Sequence, residues 1–430
     1  MHLKIKKTNK LRGEITVPGD KSISHRSIIL SAIASNENKI SGFLESDDCL
    51  NTLNAFKNMG VKIKKNITGE YQIKGVGLNG LKEPSRVINC GNSGTCMRII
   101  TGLLSGQTFY SVLTGDTSLK SRPMSRIIDP LKQMGAQIWA RQQNYAPLSI
   151  KGNCNLINIE YKLPVASAQV KSSLLLAGLY GKGKLKLSEP GLSRDHTERM
   201  LNSFGVPVKK HKYNISLNGD KVDKLIAKNI IIPGDISSAS FFMAGSLITN
   251  NSEIKIKNVG INPTRCGILE VLKTMDASIK LENKKTISGE PMADIIIKSS
   301  TLKATTINGE IIPRLIDEIP IIAVLATQAE GKTIIKDAEE LRVKETDRIR
   351  AMATELNKLG VKVKELPDGM IINGPVKLKG GVELESYGDH RVAMSLAIAG
   401  LKCEDKIKIN NCECINTSFP DFKKRLNSLY

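Results

Sequence analysis

An internal repeat limits what this chain can fold into more than any other feature. A turn marked by Pro or Gly, one or two polar residues, then a short helix of small and apolar residues recurs six times. It is written Pro18-Gly19-Asp20-Lys21-Ser22, Gly91-Asn92-Ser93-Gly94-Thr95 and Pro164-Val165-Ala166-Ser167-Ala168-Gln169. It returns as Pro233-Gly234-Asp235-Ile236-Ser237-Ser238, as Pro313 ahead of Asp317, and as Gly388-Asp389-His390-Arg391. The anchors Pro18, Gly91, Pro164, Pro233, Pro313 and Gly388 lie 73, 73, 69, 80 and 75 residues apart, which divides the 430 residues into six copies. Solenoid arrays repeat every 20–50 residues or so, so a period this long predicts small α/β subdomains.

A second helix recurs in the same frame. Residues 50–59 run into Gly60-Val61-Lys62-Ile63, 127–134 into Gly135-Ala136-Gln137-Ile138, 196–204 into Gly205-Val206-Pro207-Val208, and 348–359 into Gly360-Val361-Lys362-Val363. A helix stopped by glycine and followed by period-two alternation reads as helix, left-handed cap, strand. In the fourth repeat Asp276 takes the place of the glycine, and the sixth ends the chain with a helical 419–429. The predicted fold is therefore α/β, with two similar domains each of three βαβαββ units. One domain is formed by 1–18 and 234–430, which carries both termini, and the other by 19–233. The first strand, 3–17, precedes the first repeat and is expected to pair with the last.

Charge narrows the partners only a little. The chain has 63 Lys and Arg against 42 Asp and Glu, a net +21. The basic residues are scattered, aromatics are 4%, and Trp139 is the one tryptophan, so the clustered basic and aromatic surface of a nucleic-acid binder is missing. Small anionic substrates suit such a chain better. No apolar stretch approaches the roughly 20 residues of a membrane span. Met1-His2-Leu3-Lys4-Ile5-Lys6-Lys7 is basic without a following apolar run, so a cytoplasmic protein is expected. The eight cysteines include no Cys-x-x-Cys and the five histidines no zinc-like spacing, which predicts reduced thiols and no metal. Cys412 and Cys414 read as alternate positions of a strand.

The chemistry-bearing segments sit at the repeat anchors. Gly19-Asp20-Lys21-Ser22 is no P-loop, because Asp20 separates glycine from lysine. Ser22 or Ser24 is expected to cap a helix beginning near Ile23, with Lys21 and Arg26 at its anion-attracting end. Arg122 precedes Pro123, read as a helix start, and Arg126 follows one turn later as the second arm of an anion fork. Asp317-Glu318 opens an apolar helix. In Leu341-Arg342-Val343-Lys344-Glu345-Thr346-Asp347-Arg348, the side chains of Lys344, Glu345 and Arg348 converge at a helix start. Arg391 stands at the last anchor.

Taken together, Gly19-Asp20-Lys21-Ser22-Ile23-Ser24-His25-Arg26, Gly91-Asn92-Ser93-Gly94-Thr95, Arg122-Pro123-Met124, the 342–348 run and Gly388-Asp389-His390-Arg391 resemble the 3-phosphoshikimate 1-carboxyvinyltransferase (EPSP synthase) family. The match runs in order through essentially the whole chain. It implies a two-domain fold whose active site lies in the interdomain cleft, with domains that close over substrate. It implies transfer of the enolpyruvyl group of phosphoenolpyruvate to the 5-hydroxyl of shikimate 3-phosphate, a step toward chorismate and the aromatic amino acids.

The resemblance also implies roles. Lys21, Ser22, Arg26, Ser167, Gln169, Ser193, Arg194, Asp317 and Lys344 would hold shikimate 3-phosphate. Lys21, Gly94, Arg122, Gln169, Arg348 and Arg391 would hold phosphoenolpyruvate. Asp317 would take the proton of the 5-hydroxyl, with Lys344 hydrogen-bonded beside it, and Glu345 would protonate the methylene carbon; Lys21 is the third residue expected to take part in catalysis. No metal, organic cofactor, nucleic acid or membrane is implied, and a monomer is expected. Thr417 departs from the family, many members of which carry lysine there. Ser167-Ala168-Gln169-Val170-Lys171 and Arg194-Asp195-His196-Thr197-Glu198 look like the subgroup that tolerates glyphosate. A sister enzyme acting on UDP-N-acetylglucosamine is disfavoured, since it would carry a cysteine between Cys96 and Cys154.

Overall fold

The structure, a computed structural model, describes residues 1–430. Its contacts gather the chain into two compact units. One holds Met1–Pro18, Pro233–Lys285 and Pro291–Tyr430; the other holds Gly19–Ile232 and Thr286–Glu290. The short excursion Thr286–Glu290 is absent from the boundaries expected from sequence. It arises because the hairpin of Ser278–Ile287 and Glu290–Lys298 carries its turn into the second unit's contacts. Each unit has its own apolar core. None of the helices is long and apolar enough to cross a membrane.

Six small sheets account for the repeat. In the second, third and fifth repeats a short strand before the anchor helix pairs in parallel with the strand after it, and the next two strands add antiparallel. In the second repeat Ile88–Asn89 lies parallel to Tyr110–Thr114, which pairs antiparallel with Tyr145–Lys151 and then Gln137–Arg141. Parallel neighbours need a crossover, and the anchor helix is that crossover. The anchor helices are Lys21–Ala32, Gly94–Ser105, Ala168–Gly178, Ile236–Ile248, Ile319–Ala326 and His390–Gly400. Most are buried on nearly every side, which is why small residues dominate them.

The second helices end where the glycines predict. Gly60, Gly135, Gly205 and Gly360 have φ of +88°, +92°, +85° and +88°, and Asp276 adopts φ +58° in the same role.

The first strand is corrected by the structure. It breaks at the polar stretch after Ile5, and its halves go to different sheets. Leu3–Ile5 does join the last repeat, antiparallel to Ile407–Asn410, but Arg12–Thr16 lies parallel to Glu253–Gly260 of the fourth. The place that Arg12–Thr16 would have filled in the first repeat is taken by Ile230–Ile231, parallel to Glu37–Ser41. Cys412 and Cys414 are also corrected. The alternation of 407–415 ends at Asn411, whose φ of +56° turns the chain into the 3-10 helix Cys412–Thr417. All eight cysteines are unpaired thiols.

Candidate functional site

Most of the candidate side chains lie at or near helix starts, in one set per unit. In the unit built on Gly19–Ile232, Asp20 rather than a serine caps the first anchor helix, its Oδ1 accepting from the Ile23 N–H at 2.9 Å. A carboxylate there offsets the helix's own N-terminal charge. Ser24 instead accepts from the Leu44 N–H at 3.1 Å. Only glycine fits at Gly19, where a Cβ would lie 1.9 Å from the Gly42 carbonyl oxygen. That close approach delivers Lys21 and Ser22 to the helix start. Lys21 Nζ forms an ion pair with Asp48.

Ser22 is held from two sides. Its carbonyl accepts from Arg26 Nη1 at 2.9 Å, and its Oγ accepts from Arg194 Nη1 at 3.4 Å. Arg26 is only 3% exposed and donates further to Thr197 Oγ1 and Ser172 Oγ, both at 2.6 Å. Burial draws its pKa down to about 10, opposed by Glu198 and Asp20, so it stays a cation at neutral pH. His25, on the same helix, is fully buried against Thr52 Oγ1 at 2.7 Å; burial lowers its pKa to about 3 and keeps the ring neutral.

The glycine loop forms the second part of this set. Gly91 has φ +57°, and Ser93 caps Gly94–Ser105 by accepting from the Cys96 N–H at 3.1 Å. A Cβ on Gly94 would stand 3.5 Å from Arg98 Nη1 and 3.6 Å from Arg122 Nη1, so two guanidiniums flank this helix start. Arg122 donates to Asn92 Oδ1 at 2.7 Å. Arg98 donates to Gln169 Oε1 at 2.6 Å, and Gln169 Nε2 donates to Thr95 Oγ1 at 3.0 Å. Arg98 and Thr95 were not foreseen. Their only signal is spacing, four residues and one residue beyond Gly94 on a helix.

Arg126 does not join the fork: it is exposed on the helix Ser125–Gln133, whose start is Ser125 and not Pro123. Ser167 caps Ala168–Gly178, accepting from the Val170 N–H at 3.4 Å. Ser193 is buried and donates to Glu189.

The other unit supplies a tighter cluster. Arg348 is 1% exposed, with Nε on Asp389 Oδ2 at 2.7 Å, Nη1 on Asp317 Oδ1 at 3.2 Å and Nη2 on Glu345 Oε2 at 2.7 Å. Burial opposes its charge, but Asp389, Glu345 and Asp317 outweigh burial and hold the guanidinium above its ordinary range. Asp389 also caps His390–Gly400, accepting from the Arg391 N–H at 2.8 Å. Arg391 reaches Asp317 by Nη1 to its carbonyl at 3.2 Å and by Nη2 to Oδ2 at 3.6 Å.

Asp317 is thus bracketed by two guanidiniums, two residues before the apolar helix that begins at Ile319. Lys344 is not beside it; its Nζ sits 3.0 Å from Glu340 Oε1, a residue of the 3-10 turn Glu339–Val343. Glu318 faces away into the core, bonded by Ser237 Oγ, and burial raises its pKa despite Arg265. Thr417 donates to the Cys414 carbonyl at 2.7 Å and lies 3.4 Å from His390 Nδ1. No group of three His, Cys, Asp or Glu side chains is gathered closely enough to hold a metal ion.

Guanidiniums at helix starts, with carboxylates placed among them, make a scaffold for small polyanions and for proton transfer. The fold belongs to a known class: it is shared with the enolpyruvyl transferase NikO from Streptomyces tendae, at TM-score 0.81 over 99% of this chain and 96% of that one, though only 15% of residues are identical. Closer relatives narrow this. The family model for EPSP synthase (3-phosphoshikimate 1-carboxyvinyltransferase) matches residues 5–426. The 3-phosphoshikimate 1-carboxyvinyltransferases of Petrotoga mobilis and Geotalea daltonii are each 52% identical, over 98% and 99% of this chain and 98% of theirs. The structure of EPSP synthase from Acinetobacter baumannii matches at TM-score 0.91 with 48% identity, covering all of this chain and 98% of that one. The chain belongs to the EPSP synthase family.

Proposed function

We propose that this chain transfers the enolpyruvyl group of phosphoenolpyruvate to the 5-hydroxyl of shikimate 3-phosphate, using the residues described above. The observation that carries the assignment is the bracketing of Asp317 by Arg348 and Arg391, with Glu345 on the same guanidinium. An anionic substrate that draws the two arginines onto itself leaves Asp317 as a proton acceptor and Glu345 as a donor.

Lys21, Ser22, Arg26 and Arg194 serve shikimate 3-phosphate, with Ser167, Gln169 and Ser193. Arg26, with three donors already on protein groups, acts mainly by fixing Ser22. Gly94, Arg122, Gln169, Arg348 and Arg391, with Lys21, serve phosphoenolpyruvate, and Arg98 holds Gln169 in place. Lys344 would have to leave Glu340 to reach Asp317.

In the addition step, the 5-oxygen bonds to C2 of phosphoenolpyruvate while Asp317 accepts the hydroxyl proton and Glu345 gives a proton to C3. The tetrahedral adduct then loses phosphate as a methyl proton returns to a base. Once drawn onto the substrate, the arginines stand where the adduct's charge develops and stabilise it. Measuring phosphate release from phosphoenolpyruvate with and without shikimate 3-phosphate tests this reading. Release independent of shikimate 3-phosphate, or none, would overturn it. A glyphosate inhibition constant above the phosphoenolpyruvate KM is expected, and a much lower one would place the chain outside the tolerant subgroup.

A further inference from the structure

Two residues assigned above to shikimate 3-phosphate, Ser193 and Arg194, lie on a stretch without regular structure between the strand Lys184–Ser188 and the helix His196–Ser203. Irregular segments hold a side chain accurately only when something fixes them, and here that something is Lys171. Its Nζ lies 2.7 Å from Glu189 Oε1, 2.8 Å from Glu198 Oε1 and 3.5 Å from the Ser193 carbonyl oxygen. An ammonium has three protons, and three oxygens surround it, two from the stretch and one from the helix that follows. The side chains of Lys171 and Glu189 are 0% exposed and that of Glu198 is 4%.

The rest of the stretch is bolted as thoroughly. Ser193 Oγ donates to Glu189, Arg194 donates to Ser22, and Thr197 accepts from Arg26. His196 Nδ1 lies 2.8 Å from Glu290 Oε1. Buried Lys171 and Arg26 balance Glu189 and Glu198. An ionic cluster with no solvent access is an expensive way to fill a core, since apolar side chains of the same volume are commonly as stable or more so. What ions supply and apolar groups do not is direction.

We propose that Lys171 is a positioning residue for shikimate 3-phosphate, holding Ser193 and Arg194 in register with Ser22 without touching the substrate. Its place in the sequence fits. It follows Gln169 by two residues on the Ala168–Gly178 helix, so a single helix carries a substrate-facing amide on one side and the anchor of the adjoining stretch on another. The proposal rests on the assignment of Ser193 and Arg194 made above.

The test is the affinity of the full chain for shikimate 3-phosphate by titration calorimetry, a readout independent of turnover, joined to steady-state kinetics. Lys171→Met should weaken that affinity about tenfold or more while the phosphoenolpyruvate KM stays within about twofold and kcat within about threefold, since a charge-directed anchor on the stretch is lost. Glu189→Gln, isosteric and less disruptive, should give a smaller loss of the same kind and decides the matter if Lys171→Met does not fold. Lys186→Met, which removes an exposed ion pair with Glu160, is the control and should change nothing. Equal losses for both substrates, or an unchanged affinity in both variants, would overturn the role of Lys171. A wild-type chain that binds shikimate 3-phosphate yet releases no phosphate would overturn the reaction and leave the Lys171 result to stand on affinity alone.

Discussion

At the scale of single residues, the site is built by spending hydrogen bonds on position. Arg98 is the clearest case, since its spacing from Gly94 was its only signal in sequence, yet it fixes Gln169. Arg98→Ala should raise the phosphoenolpyruvate KM about tenfold, from the loss of a charge-assisted bond. Steady-state kinetics with each substrate varied in turn would show it, and an effect confined to shikimate 3-phosphate would contradict it. His25 gives a prediction about pH. Its pKa falls from 6.5 to about 3 on folding, so below 6.5 the unfolded chain takes up a proton that the folded chain refuses. Stability is then complete above 6.5 and lost as pH falls, by about 1.4 kcal/mol per unit until the ring itself titrates. His25→Gln should flatten that slope by about one proton between pH 6 and 4 in urea unfolding.

At the scale of elements, the cap after each second helix isolates one physical cause. A Cβ on Gly205 would meet nothing within 4 Å, so Gly205→Ala tests backbone strain alone at φ +85°. It should cost about 1–2 kcal/mol. Asp276→Gly should run the other way, gaining about 0.5–1 kcal/mol, because its ion pair with Lys303 is exposed and worth little. Thermal unfolding of both variants checks the pair.

These caps also show what a sequence can disclose. Gly60, Gly135, Gly205 and Gly360 announce themselves because no other residue takes positive φ so cheaply, and Asp276 was readable from its position in the frame. The polypeptide's alternation past Asn410 was misleading, because one left-handed Asn411 converts a strand into a 3-10 turn without breaking the pattern of side chains. Lys344 was misplaced for a similar reason: spacing puts it near Arg348, but the 3-10 turn before it points its amine at Glu340. Arg98 and Lys171 stayed hidden because their partners are some 71 and 18 to 27 residues away, on other repeats or other elements.

At the scale of the whole molecule, each compact unit completes its sheets with strands remote in sequence. Leu11, 0% exposed, packs in the core of the unit that also holds 233–285 and 291–430. Leu11→Ala should cost about 2–5 kcal/mol. With two cores the chain need not unfold in one step, so hydrogen exchange is the better measurement. Protection should fall in that unit's sheets, Glu253–Gly260 and Glu290–Lys298 first, and persist in Lys21–Ala32 and Gly94–Ser105. Uniform loss across both units would mean that their stabilities are not separable.

The broken first strand has a consequence for how the protein is made. Leu3–Ile5 is synthesised about 400 residues ahead of its partner Ile407–Asn410. At elongation rates of about 5–20 residues per second, it waits roughly 20–80 s with an unpaired edge. Arg12–Thr16 waits for Glu253–Gly260, whereas the sheet of Glu37–Ser41 closes as soon as Ile230–Ile231 emerges. The unit begun second is therefore finished first. Lys4, Lys6, Lys7 and Lys10 surround the waiting strand with like charge, the usual means of keeping an open edge from pairing with a neighbouring nascent chain.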